Sequence, residues 1–570
     1  MRWLGAFVVA CSLCSFSWTL DRDAFTFTKY DLTIRIEPEQ QRLTAEGKIT
    51  LRNDSSTPQK NLALQISSTL GWRAVQFEGN PVEFLSQTYT SDIDHTGALS
   101  EAIVTLPREI SAKAEIELEV RYEGVVPLNA TRLTRIGVPE DVAKHTDWDQ
   151  IGKDFTGLRG VGHVVWYPVA MEAANLSEGN DLFERLGSWR ARGSSSKMVL
   201  HAGIATDDGS EPPIIDLGAS VCSEVYESLS RAQRSSADCK FDRLSVLAPA
   251  IMAAHYNLLE KPNIRLHYFS EHQAAAETYA AASEKIAPFV NEWFGTPRTK
   301  VEVAELADSQ ASPFESGTML LAPLGNGDAQ LAEITLVHQL THAAFDSPRP
   351  WIYEGLAHFA QALYLERQRG REAALDFMGL HRAAVVTSEK ALARNHDPKA
   401  NRDESLINTF AEELYRSKAA YVWWMLRDMV GETALKKVLA SYHAGDDKET
   451  AYVQRLVEAQ AHRDLEWFFD DWVYRDRGLP DFRVESVYPR PIVTGGYMVT
   501  VTVENLGAAG AEVPVVLKMK EGDVVKRIEV RAKSKNSIRF EVPSVPPEVV
   551  VNDGSVPESD LTNNSFAVGK

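Results

Sequence analysis

Along the first part of the chain, hydrophobic residues fall at every second position. Tyr30, Leu32, Ile34 and Ile36 alternate with polar residues, and Leu43 to Leu51 follows as a partner strand. Ile116, Leu118, Val120 and Tyr122 alternate with Glu115, Glu117, Glu119 and Arg121. A period of two with one polar face predicts antiparallel sheet. Turn-forming clusters, Asn53-Asp54-Ser55-Ser56 and Asp92-Ile93-Asp94-His95, separate the runs. A Gly/Ser-rich turn at Gly193 to Ser196 breaks the later part.

From about Pro262 the period changes. Ala274 to Trp293 is rich in Ala and Glu with apolar residues at helical spacing. Helices are also predicted over Asp328–Phe345, Tyr353–Arg369, Leu414–Val430, Thr433–Tyr442 and Asp464–Val473. Pro348 and Pro350 are expected to break the chain between Asp328–Phe345 and Tyr353–Arg369. After Pro480 alternation returns. Tyr497, Val499, Val501 and Val503 interleave with Met498, Thr500, Thr502 and Glu504, a turn follows at Gly507 to Gly510, and strands are expected near Val513–Met519 and Arg527–Val530. Short strands over this length fit a small β-sandwich. The pattern predicts a multidomain α+β protein: an antiparallel β domain over 23–260, an α-rich domain over 261–480 and a C-terminal Ig-like β-sandwich over 481–570.

The length of 570 residues agrees, because one hydrophobic core does not serve a chain of this size. Hydrophobic residues are 44% and charged residues 24%, ordinary for a globular protein. The net charge of −19 argues against nucleic acid or an anionic membrane as the main partner. The N-terminus is different. Arg2 heads an apolar run, Trp3 to Phe16, that can serve as the core of an export signal over 1–19, with Ser15-Phe16-Ser17 at cleavage-site spacing. Val8-Val9-Ala10-Cys11 offers a second reading, a lipoprotein site with the lipid on Cys11, and would supply the chain's one expected membrane link. Both readings place the protein outside the cytoplasm, periplasmic or extracellular. Two cysteines remain in the mature chain, Cys222 and Cys239. In an exported protein they suggest a local disulfide, with two free thiols as the alternative.

The candidate chemistry lies in His338-Gln339-Leu340-Thr341-His342, followed after eleven residues by Glu354 in Trp351-Ile352-Tyr353-Glu354-Gly355-Leu356-Ala357. Histidines at i and i+4 share one helix face. A carboxylate from the next helix would complete a two-His, one-carboxylate zinc site with an open fourth position. In the usual motif a glutamate between the histidines acts as general base; here that position is Gln339.

These segments resemble the gluzincin metallopeptidases, specifically the membrane-alanyl-aminopeptidase-like and peptidase MA-like proteins. The N-terminal strands with Glu46-Gly47-Lys48-Ile49 and Tyr122-Glu123-Gly124 resemble that family's N-terminal β domain. Phe468 to Pro480 resembles the end of its zincin-like catalytic domain. Asn552-Asp553-Gly554 and Glu558-x-Asp560-x-x-Asn563-Asn564 resemble an adhesion-related module of bacterial exported proteins. The resemblance implies Zn2+ as cofactor, His338, His342 and Glu354 as its ligands, and a peptide or protein substrate. It puts Gln339 at the place of the catalytic glutamate. It suggests Tyr415, in Tyr415-Arg416-Ser417-Lys418-Ala419, as the oxyanion-stabilising residue, although it lies one position further from the lysine than the family's Tyr-x-Lys-Gly pattern. Glu315, in Ser312-Pro313-Phe314-Glu315-Ser316-Gly317, is the nearest equivalent of the substrate-amine site. Gln361 and His358 are expected to support the ligands from behind. The function implied is peptide hydrolysis by metal-activated water, impaired at Gln339. The alternatives are a zinc-containing pseudopeptidase that binds peptide without cleaving it, and a structural surface protein without metal. A natural glutamine, an introduced one, and a surrogate base such as Glu315 stand as three accounts of position 339.

Overall fold

The structure, a computed structural model, describes residues 20–569 apart from 180, 207–213, 217–220, 230–231, 245–246, 326–327, 395–404, 410, 476 and 494. The expected export signal over 1–19, with Cys11, lies outside the described residues. Among the described residues no helix is long and apolar enough to cross a membrane.

The alternating N-terminal segments form strands as expected. Phe25–Glu37 and Arg42–Asn53 pair antiparallel, with Tyr30 opposite Ile49 and Ile34 opposite Ala45. They lie within an eight-stranded sheet whose far side is built from Lys197–Thr206, Val221–Leu229 and Ala232–Phe241. Tyr30, Leu32, Ile34 and Ile36 are each at most 1% exposed, so the period of two marks the buried face. One pairing differs from expectation: Phe25–Glu37 runs parallel to Lys197–Thr206, a pairing between segments far apart in sequence. Cys222 and Cys239 face each other on adjacent strands of this sheet and are joined as a disulfide.

The central part contains a sheet that the periodicity did not show. Asn257–Lys261, Ile264–Tyr268, Val301–Glu305, Met319–Ala322 and Phe314–Ser316 lie side by side in that order, starting just ahead of the boundary expected at 261. These strands are three to five residues long, and several are buried on both faces, so they carry no alternation to read. Against this core pack the helix Gln273–Phe294 and a second helix, Ala329–Ala344, which carries both histidines. Asp328 caps the histidine helix by accepting from the Gln330 and Leu331 amides.

A glutamate-bearing helix follows at Pro350–Arg369. Pro350 was expected to break the chain, with the helix starting at Tyr353. It occupies the first turn instead, where its missing N–H costs nothing. A further helix, Arg371–Arg394, was not expected. Glu413–Lys418 is a π-helical turn that leads into Ala419–Val430, and Asp470–Tyr474 is another, following the short helix Glu466–Phe469.

The C-terminal strands form a three-stranded sheet (Phe482–Pro491, Tyr497–Asn505, Lys535–Val542) and a four-stranded one (Val524–Val530, Ala511–Lys518, Glu548–Val551, Ser565–Ala567). Their buried valines continue the core of the central helices. Trp472 donates from Nε1 to the Gly510 carbonyl at 2.7 Å. Glu558, pushed up to about 7 by burial, accepts from the Phe482 amide, Asn552 and Asn564 and so closes this end of the chain.

The glutamate helix is held close to the helix Ala419–Val430 at Gly355. A Cβ there would lie 2.6 Å from the Ala419 Cβ and 3.2 Å from Trp423 Cδ1. Beside it Trp351 stacks on Trp423, 5.3 Å between centroids at 15°. Gly355→Ala would gain about 1 kcal/mol of helix propensity. Overpacking against a rigid Cβ and backbone costs about 1–3 kcal/mol, so the variant should unfold at a lower temperature than the parent. Gly379→Ala, on the exposed face of Arg371–Arg394 with nothing within 4 Å of the added methyl, should raise the midpoint. Differential scanning calorimetry of both variants checks the pair.

Candidate metal centre

The histidine helix presents His338 and His342 one turn apart, 2% and 6% exposed. Their Nε2 atoms face each other at 3.0 Å. Glu354, from the first turns of the glutamate helix, brings Oε2 to 3.7 Å from His338 Nε2 and Oε1 to 3.6 Å from His342 Nε2. The three ligand atoms lie within 4.8 Å of one another. Ligand atoms at zinc bond lengths of about 2.0–2.1 Å around a tetrahedral ion stand about 3.3 Å apart, so the observed separations suit one small cation.

The hydrogen bonding of the trio fits the same group. Glu354 Oε2 is buried without a hydrogen-bond partner. One proton shared between the facing Nε2 atoms can serve both imidazoles, which leaves none for the Glu354 carboxylate oxygen beside them. Burial, helped by the charges of His338 and Arg416, pushes His342 well below the ordinary imidazole range and keeps it in the neutral, ligating form. Burial raises the Glu354 carboxyl, while Arg416 and then His338 oppose the rise. His342 Nδ1 has no hydrogen-bond partner, and the ring is oriented by stacking on Tyr353 at 3.9 Å. Gln361, one of the residues expected behind the ligands, donates from Nε2 to the Ile334 carbonyl at 3.0 Å and so ties the two helices together.

Gln339 is fully buried. Its Nε2 donates to Glu315 Oε2 at 3.2 Å, and its Oε1 has no partner. Glu315 sits on the short edge strand Phe314–Ser316, and its Oε2 lies 3.6 Å from His338 Nε2. The carboxylate therefore borders the trio and the glutamine together.

Tyr415 is buried in the π turn, with the Arg416 guanidinium 5.9 Å from its ring centre. Burial, and then the charge of Glu412, raise its hydroxyl above the ordinary tyrosine range. The π turn brings the next residue to the trio: Arg416 Nε lies 3.4 Å from Glu354 Oε2, and Nη1 lies 3.4 Å from Glu315 Oε1. Arg416 is two positions before Lys418, the spacing of the Tyr-x-Lys pattern, and was not singled out in the sequence. Arg190, from the helix Asp181–Arg192, reaches Glu412 at 3.4 Å.

A row of imidazoles extends from the trio. His358 lies 4.7 Å from His338, ring to ring, and His381 lies 4.9 Å from His358. His358 Nδ1 pairs with Gln361 Oε1 at 3.1 Å, and His381 Nδ1 with Ser417 Oγ at 2.9 Å. Burial pushes His358 well down, and burial followed by the nearby His338 pushes His381 down to about 4. His381 carries no motif and was not singled out in the sequence.

Residues 348–472 match the Peptidase family M1 domain. The matched stretch includes Glu354 and Arg416 and starts just after the two histidines. The match supports a gluzincin, aminopeptidase-like relationship for this chain. Zn2+ is the cofactor this relationship implies, and His338, His342 and Glu354 form a group that could hold it. Among solved structures, the chain is similar to the M1 zinc metallopeptidase from Deinococcus radiodurans, at 15% identity over 78% of this chain and 92% of that one, with a TM-score of 0.47. It is also similar to a glutamate-to-alanine mutant of that protein, at 16% identity over 81% and 97% with a TM-score of 0.49. The same mutant bound to a Tyr-Ser-Ala substrate gives 16% identity, 81% and 97% coverage and a TM-score of 0.47. No curated protein matches.

If the trio holds the ion, His338→Ala and Glu354→Ala should each weaken zinc retention by more than the roughly 10–100-fold that loss of an outer partner costs. Gln339→Ala, which removes no ligand, should retain zinc like the parent. Metal analysis by plasma mass spectrometry after dialysis against a graded chelator reads all three.

Proposed function

We propose that this chain is an exported, zinc-dependent, metallopeptidase-type protein that takes peptide into the cleft at His338, His342 and Glu354 and hydrolyses it slowly. The convergence of those three side chains on one point is the observation that carries the reading. A zinc ion held there supplies Lewis acidity and lowers the pKa of a bound water. The chain itself must then accept a proton and return it to the leaving amine. Gln339 stands where that acceptor is needed, and an amide can orient a water but cannot take its proton. Loss of a general base costs about 10²–10⁴ in rate.

Glu315 favours a second reading of the same centre. Its Oε2 is held by the Gln339 amide at 3.2 Å and lies 3.6 Å from His338 Nε2. A carboxylate so placed can stand in for the missing base, and turnover would then depend on Glu315. The non-catalytic alternative keeps the cleft for peptide binding alone. Export is supported by the apolar N-terminal run and by the Cys222–Cys239 disulfide, a bond of oxidising compartments. The two C-terminal sheets are read as an Ig-like, adhesion-module-like sandwich over 481–570 that presents the catalytic part at a surface.

Zinc-loaded Gln339→Glu should cleave an unstructured peptide with kcat/KM about 10²–10⁴ above the parent, measured by mass spectrometry of the products. Residual parent activity that disappears in Glu315→Gln assigns the base to Glu315. Absence of hydrolysis by zinc-loaded Gln339→Glu would refute the hydrolytic reading and leave the binding one.

A further inference from the structure

Arg416 is not engaged as the structural arginines of this chain are. Arg132 forks onto Asp147 at 2.8 and 2.6 Å, and Arg22 onto Glu101 at 2.7 and 3.1 Å. Such two-point pairing is what a guanidinium achieves when a carboxylate is built to receive it. Arg416 instead faces three carboxylates at ion-pair distances: Glu354 at 3.4 Å, Glu315 at 3.4 Å and Glu412 at 3.8 Å. Its Nε is buried without a hydrogen-bond partner. Its side chain is 27% exposed, so a ligand in the cleft can reach it.

The charge balance of the cleft gives this cation a use. Glu315, Glu354 and Glu412 against Arg416 and Arg190 leave one net negative charge. A divalent cation at the trio would turn this into one net positive charge. A glutamate at 339 would cancel the excess, and the glutamine does not. An uncompensated charge in a poorly solvated cleft is costly. An anionic ligand removes the excess, and the planar fork of arginine matches a carboxylate at two points.

We propose that Arg416 is a specificity-determining residue that selects carboxylate-bearing peptides and holds the carboxylate beside the metal centre. The proposal rests on the reading of the cleft as a peptide site. The carboxylate has two sources, the peptide C-terminus or an acidic side chain, and the experiment separates them. Zinc-loaded full-length protein is titrated calorimetrically with Ala-Ala-Ala as free acid, with its C-terminal amide, and with Ala-Glu-Ala amide. At least one carboxylate-bearing peptide should bind about tenfold or more tighter than the neutral amide, as a charged hydrogen bond gives. Tighter binding of the free acid assigns the C-terminus, and tighter binding of Ala-Glu-Ala amide assigns a side chain. The preference should vanish in Arg416→Met and persist in weakened form in Arg416→Lys, which keeps the charge without the fork, with zinc content equal to the parent in both.

Equal binding of all three peptides by the parent, or a preference that survives Arg416→Met, overturns the role of Arg416 and leaves the peptide cleft standing. Loss of zinc in both variants makes Arg416 a support of the metal centre and overturns the proposal. Failure of every peptide to bind zinc-loaded parent overturns the proposal together with the peptide reading.

Discussion

Two imidazole nitrogens and a carboxylate oxygen face one another across less than 5 Å in a buried place. One proton between the two nitrogens serves both of them, and the carboxylate oxygen beside them is left without a donor. A fold can hold such an arrangement only by making the surrounding packing stronger than the local mismatch, or by supplying a cation. The centre is therefore the most demanding constraint in the molecule, and the packing around it can be understood as a response. The ordinary reward for burying polar groups is a complete set of hydrogen bonds; here Glu354 Oε2, Gln339 Oε1 and His342 Nδ1 all lack one.

That response comes from several separate parts of the chain. Gly355 lets the glutamate helix approach Ala419 closely, and the Trp351–Trp423 stack fixes its rotation. Gln361 ties it to the histidine helix through the Ile334 carbonyl. On the N-terminal side, Arg243 bonds to the Ser347 carbonyl at 2.9 Å and pairs with Asp346, bracing the connection between the two helices. The ring of His163 meets Phe314, beside Glu315, edge-on at 5.5 Å. On the C-terminal side, Arg371 links Asp428 to Asp553 at 2.9 and 3.0 Å. The flanking β parts thus contact the elements that carry the trio and Glu315 as well as adding surface of their own.

How much of this could be read in advance follows from where each signal resides. Alternation over Tyr30 to Ile36 reports one buried face, and that face is buried. The histidine helix was legible because its cap, Asp328, and its i, i+4 pair are local in sequence. The central sheet was not: strands such as Met319–Ala322 are buried on both faces, so a short apolar run carries no period. Pro350 was misread because proline is compatible with a first helical turn as well as with a break. Arg416 was not singled out because the family pattern directs attention to a tyrosine, and its approach to Glu354 and Glu315 depends on a π turn that no residue pattern announces. His381 depends on the packing of a helix that was not foreseen at all.

Position 339 links chemistry to recognition in a way that neither property shows alone. A glutamate there would be both a proton acceptor and a negative charge; the glutamine removes both and leaves the shape almost unchanged. If the centre hydrolyses peptide as proposed, the lack of an acceptor at 339 acts on the barrier, at a cost of about 3–5 kcal/mol for a 10²–10⁴ drop in rate. Loss of the charge acts on the ground state, because the same pocket now opposes three carboxylates to two guanidiniums and whatever cation it binds. On the proposed reading, a centre with an amide at 339 is weaker at transforming a ligand and better suited to retaining an anionic one. The amide also keeps the geometry in order, since its nitrogen fixes Glu315 at 3.2 Å, where a glutamate would repel it. Glu315 is thereby held at the edge of the trio by Gln339 itself, and on the proposed reading the placement of that one acidic side chain decides whether the centre turns over.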